Sequence, residues 1–215
     1  MEKLLKDNRW FLIPTLIFLL IAIILMFSYS KTELHILSNE ANSPFLDYFF
    51  KYTTHLGDGK MIAVLFIVLL FVKYRFAFAF LAGSLSASVV VNLAKRFILH
   101  ENYRPSKYFE IFETYQLHLV EGVKIHSINS FPSGHTATAF NVFFTLALMT
   151  KNNGLKFLFF VLAVLIAYSR VYLSQHFLID ITASSVIGIL FILIFWVWFE
   201  KFDRRLDKSV LTRSK

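Results

Sequence analysis

"FLIPTLIFLLIAIILMFSY", residues 11–29, runs for 19 positions without a charge. At about 1.5 Å per residue, a helix of that length spans about 28 Å, close to the thickness of a bilayer's hydrocarbon. A cleaved leader would have a shorter apolar run followed by a small-x-small site. Ser30, Lys31 and Thr32 follow instead, so the stretch reads as a retained membrane helix. Working outward, five further apolar segments lie at 59–72, 76–94, 132–150, 155–173 and 177–199. The segment 76–94 carries Gly83, Ser84, Ser86, Ala87 and Ser88, small residues that let helices approach closely in lipid. The last closes with Trp196 and Trp198, suited to a membrane–water interface. The expected fold is all-α: a polytopic membrane protein, a six-transmembrane-helix bundle, in a single domain over 1–215.

Composition supports that class. Apolar residues make up 57%, phenylalanine supplies 26 positions and charged residues only 17%. No cysteine is present, which excludes disulfides and thiolate metal sites. The net charge of +8 does not come from a basic run interleaved with aromatics, so nucleic acid is not an expected partner. Positive flanks of membrane helices account for it. Lys3, Lys6 and Arg9, Lys73 and Arg75, Lys151 and Lys156, and Lys201, Arg204, Arg205, Lys208, Arg213 and Lys215 fall on one side. Both termini are therefore expected in the cytoplasm, with the chain integral to the cell's inner membrane. Two long outer stretches remain, 30–58 and 100–131. "SPFLDYFFKYTTHLGDG" (43–59) in the first reads as an amphipathic helix lying on the membrane surface. Its "HLGDGK" lacks the spacing and the Ser or Thr of a phosphate loop, and Asp58 reads as a cap for the second span. His35, His100, His118 and His126 show no ligand spacing and read as loop residues.

Three ionisable clusters fall on the outer face: "KRFILHENYRP" (95–105), "FPSGH" (131–135), and Ser169, Arg170, His176 and Asp180. A carboxylate inside an apolar helix is costly unless paired. His176 and Asp180 are four apart and share a helix face. An aspartate bonded to one ring nitrogen fixes the tautomer and frees the other nitrogen as a nucleophile. Arg170 offers a planar fork suited to phosphate oxygens. "PSGH" reads as a helix start, with Pro132 in the first turn. The Ser133 hydroxyl and the N–H groups of Ser133, Gly134 and His135 are placed to hold an anion.

These clusters resemble the motifs of the type 2 phosphatidic acid phosphatase superfamily, which also contains class A acid phosphatases and vanadium haloperoxidases. Its motifs are K-x6-R-P, P-S-G-H and S-R-x5-H-x3-D. The second is intact at 132–135 and the third at 169–180. Arg104 and Pro105 fit the end of the first, but Phe97 stands where lysine belongs. Lys95, two residues earlier, is read as the equivalent, with Arg96 the other candidate. The resemblance covers about residues 57–199. It implies a lipid phosphatase, with a site at the outer membrane–water interface. There Lys95, Arg104, Ser133, Gly134 and Arg170 bind the phosphoryl oxygens. His176 attacks phosphorus with Asp180 orienting it, and His135 protonates the leaving oxygen and then activates water. No metal or other cofactor is implied, and no obligate protein partner.

The rival reading is a small proton-coupled transporter using Arg170, His176 and Asp180 as a relay. Such a relay belongs near the bilayer midplane, whereas these charges sit at helix ends. Candidate substrates are undecaprenyl pyrophosphate, phosphatidylglycerol phosphate, phosphatidic acid and lipid A phosphates. The outer loop from 103 to 131 is expected to shape specificity, with Tyr108, Phe109 and Tyr115 covering an acyl or prenyl chain.

Overall fold

The computed structural model describes residues 1–98, 102–201 and 204–212. His100 and the tail cations Arg213 and Lys215 lie outside the described residues. Among these residues every regular element is helical. In chain order they are α1 (Glu2–Asp7), α2 (Arg9–Ser28), α3 (Lys31–Glu40), α4 (Pro44–Thr53), α5 (Lys60–Val72), α6 (Tyr74–Leu93), α7 (Pro105–Phe112), α8 (Gly134–Met149), α9 (Asn153–Tyr172) and α10 (Leu178–Glu200). A 3₁₀ turn, Thr54–Gly57, links α4 to α5, and a π-helical turn, Ala94–Ile98, extends α6.

The helix α8 is the axis of the bundle. Its residues Thr136 to Thr145 are all buried, and α6, α9 and α10 pack around it. Water release does not drive such packing inside lipid; dispersion contacts and close backbone approach do. Phe11 of α2 shows the first, meeting Phe144 at 5.0 Å between ring centroids and Phe140 edge-on at 6.3 Å. At Gly188 a β-carbon would lie 2.8 Å from the Ala137 carbonyl and 3.0 Å from Phe140 Cβ. Only glycine lets α10 cross α8 at that distance.

Among the described residues four helices are long and apolar enough to cross a membrane: Arg9–Ser28, Tyr74–Phe97, Asn153–Tyr172 and Leu178–Glu200. The pair Pro44–Gly57 and Lys60–Val72, bent by 55°, makes a fifth. The segment expected at 132–150 forms α8, whose 16 residues reach only about 24 Å. Its neighbours enclose it, so its length need not match the lipid.

Several local expectations are corrected. The outer stretch 30–58 forms two helices and a turn: α4 and the 3₁₀ turn fall within 43–59, where a helix was expected, and α3 precedes them. Ser30 starts α3 in a reciprocal cap with Glu33, and Ser43 starts α4 by accepting the Leu46 N–H. Pro132 lies outside α8, which is capped by Ser133. Asp58 does not cap α5; Gly59 holds that position with no side-chain bond. His35 is no loop residue: it sits on α3, 1% exposed, with Nε2 3.1 Å from Ser174 Oγ. His118 pairs with Asp47 at 2.9 Å. Phe109 is buried beside His35, and the Tyr115 hydroxyl donates to Asn39. Both take part in packing and also line one cavity, while Tyr108 lines another.

Candidate active site

Helices α6 and α9 end, and α8 and α10 begin, at one end of the bundle. That arrangement gathers Lys95, Arg170, His135 and Asp180, with His176 in the short α9–α10 link. Asp180 is the third residue of α10, so its carboxylate can reach back to the helix's unpaired N–H groups. Its Oδ2 accepts from the Phe177 N–H at 3.0 Å, from the Ser130 hydroxyl at 2.5 Å and from His176 Nδ1 at 3.2 Å. His176 is 1% and Asp180 2% exposed.

On the other side of the ring, His176 Nε2 lies 3.4 Å from Arg104 Nη1. A guanidinium can only donate, so Nε2 must carry a lone pair and Nδ1 the proton. Burial holds the His176 protonation well below its usual range, and Arg104, Arg170 and Lys95 push it further down. The imidazole is neutral, its tautomer fixed by Asp180 and its Nε2 lone pair facing cations. Arg104 is anchored by the Ile128 carbonyl at 3.0 Å and by the Gln175 carbonyl and side chain at 3.1 and 3.2 Å.

Arg170 is 6% exposed, and its Nη1 donates to Thr54 Oγ1 at 2.7 Å. Its buried Nε has no partner among the described residues. A buried donor without an acceptor is costly unless a ligand supplies one. His135, second residue of α8, makes an ion-pair contact from Nε2 to Asp58 Oδ1 at 2.8 Å. The other Asp58 oxygen lies 3.0 Å from His55 Nδ1. The turn before Asp58 docks against α8: a β-carbon on Gly57 would meet the His135 carbonyl and Ile166 Cγ2, both at 2.9 Å.

Lys95 is half-buried and feels Arg104, Asp180 and Arg170 most strongly, whereas Arg96 is exposed. The π-helical turn containing both widens the end of α6 and fits an extra residue into it. Ser133 is fully buried and its hydroxyl accepts from the Thr136 hydroxyl and N–H, leaving its own proton to donate. The expectation that the Ser133 N–H is free is corrected: it points to the Asp180 carbonyl at 3.4 Å. Among the described residues nothing lies within 4 Å of a β-carbon added at Gly134, beside the amides that start α8. Thr54, Asp58, Ser130 and Gln175 are the site residues that sequence reasoning did not assign.

Among the described residues, an all-helical bundle thus places a buried histidine beside clustered cations. The chain belongs to the PAP2 superfamily, whose profile matches residues 76–204. It is 37% identical over 100 residues to the bacitracin transport permease protein BcrC of Bacillus licheniformis. That match covers 46% of this chain and 44% of the relative, so the chain aligns with less than half of that protein. The crystal structure of Aquifex aeolicus LpxE superposes with a TM-score of 0.66 at 30% identity, over 76% of this chain and 92% of that one. A PAP2-type phosphatidylglycerolphosphate phosphatase from Bacillus subtilis gives 0.64 at 23% identity, over 89% and 97%.

Proposed function

We propose that the protein is a membrane-embedded lipid phosphatase acting through a phosphohistidine, with six crossings, both termini in the cytoplasm and the site facing outward. In this reading His176 Nε2 attacks phosphorus while Asp180 holds Nδ1–H. Arg104, Arg170 and Lys95, with Ser133 and the Gly134 amide, bind the phosphoryl oxygens and stabilise charge that grows in the transition state. His135 gives a proton to the leaving oxygen, and then takes one from the water that splits the phosphohistidine. The observation that carries the reading is His176 Nε2 lying 3.4 Å from Arg104 Nη1, beside an Arg170 Nε without an acceptor among the described residues.

A lipid substrate fits what surrounds the site. A cavity of about 420 Å³ joins Asp180 and Ser130 to Tyr103, Tyr108, Phe131 and Phe177. Lys31 stands over the Tyr108 ring, 3.8 Å from its centroid. The cavity therefore has a polar end at Asp180, which bonds His176, with an aromatic wall for a hydrocarbon chain and a cation beside it. The Bacillus subtilis neighbour's activity makes phosphatidylglycerol phosphate the first substrate to try. The test is phosphate release by the purified protein in detergent from that lipid, phosphatidic acid, undecaprenyl pyrophosphate and lipid A phosphates. Turnover of at least one, inhibited by vanadate and indifferent to EDTA, is expected. Failure on all four, or activity lost in chelator and restored by magnesium, contradicts the reading.

A further inference from the structure

We infer that Asp58 is the positioning residue of His135, the partner that makes that imidazole a directional acid and base. The inference rests on the acid role proposed for His135. Asp58 lies outside residues 76–204, the part of the chain that carries the family match. Yet its Oδ1 sits 2.8 Å from His135 Nε2, closer than Asp180 sits to His176. The two histidines thus each have a carboxylate, on opposite ring nitrogens.

Its placement follows from neighbouring residues. Gly57 brings the chain against the backbone of α8 where any side chain would collide. Thr54, one turn earlier, holds Arg170. His55 binds the second Asp58 oxygen from the solvent side, which fixes the carboxylate's orientation. The turn 54–58 therefore braces an arginine and a histidine of the site together. Among the described residues no three His, Asp or Glu side chains cluster to hold a metal, His55, Asp58 and His135 included.

The consequence is chemical. A carboxylate at Nε2 keeps a proton there and stabilises the doubly protonated ring. The transferable proton is then a second one on Nδ1, taken up from solvent as the phosphate dianion binds; among the described residues Nδ1 has no hydrogen bond. As the bond from phosphorus to the leaving oxygen breaks, the Nδ1 proton passes to that oxygen. In the second step the attacking water gives a proton to Nδ1, the new P–O bond forms and the P–N bond to His176 breaks. Nε2–H stays bonded to Asp58 throughout.

The experiment uses full-length protein in detergent and two phosphomonoesters sharing one hydrocarbon tail, an alkyl ester and an aryl ester. His135→Ala should slow the alkyl ester by about a hundredfold or more, and the aryl ester much less. Asp58→Asn should show the same pattern at about tenfold or more on kcat for the alkyl ester, with KM little changed. Asp58→Glu should recover most of that rate. The double variant Asp58→Asn/His135→Ala should be no slower than His135→Ala, because both act on one proton transfer. In the wild-type protein, ¹⁵N NMR of the neutral His135 ring should show Nε2–H, a readout that no variant's folding can blur. Equal losses on both esters in Asp58→Asn, multiplying losses in the double variant, or a neutral Nδ1–H ring would each overturn the inference. If His135→Ala itself slows both esters equally, the acid reading has failed and the inference falls with it.

Discussion

Lys95 and Arg96 are adjacent in sequence, yet they face different surroundings. Lys95 is half-buried among the site's charges, and Arg96 is exposed in the way of a basic residue reaching for the membrane surface. Removing a cation that contacts a transferring phosphoryl group in a water-poor site costs about 2–4 kcal/mol, roughly thirty- to a thousandfold in rate. Lys95→Ala should lower kcat/KM within that range and Arg96→Ala should change it little. Steady-state assays giving the reverse ranking would assign the first motif's cation to Arg96. His35 gives a second test at this scale. Burial lowers its protonation to about 4, whereas an unfolded chain takes the proton near 6.5. Its contribution to stability is therefore fully present above pH 6.5 and is lost as pH falls toward 4, by up to about 3 kcal/mol. Thermal melts in detergent should show wild type losing more between about pH 7 and about pH 4.5 than His35→Gln does. Parallel curves would mean that His35 is already protonated in the fold.

At the scale of elements, the turn 54–58 and the start of α8 behave as one unit. Gly57→Ala forces a methyl to 2.9 Å from the His135 carbonyl and Ile166 Cγ2, so the turn must retreat from α8. Overpacking of this kind costs about 1–3 kcal/mol, and here it also loosens Asp58 from His135. Gly57→Ala should thus lower both the melting temperature and kcat, while Gly59→Ala, with open space around it, should lower neither much. Equal behaviour of the two variants would remove the turn from the site. The same turn marks where sequence reading stopped. His176 and Asp180 were legible because a four-residue spacing places both on one helix face, and "PSGH" because caps and anion sites are local. Asp58 meets His135 across 77 positions of chain, and no periodicity carries a pairing of that kind. Asp58 itself read as an ordinary cap for the second span. Ser130 and Gln175 escaped for a similar reason, since each acts through a side chain that only the folded loop delivers.

On the scale of the whole molecule, apolar runs gave the all-helical membrane architecture directly, because hydrocarbon admits few backbone solutions. Run length alone could not distinguish a lipid-facing span from α8, which is equally apolar but enclosed by its neighbours. Helix ends then decide where chemistry can occur: four of them converge, and the cations, His135, His176 and Asp180 all sit there. The central claim is that a phosphoryl group passes through His176. A rapid-quench single turnover with a lipid substrate labelled at the transferring phosphate tests it most directly. Labelled protein that is stable in alkali and labile in acid, mapped to His176 and absent from His176→Ala, is the predicted result. Full turnover with no labelled protein at any time, or label on a residue other than His176, would contradict it.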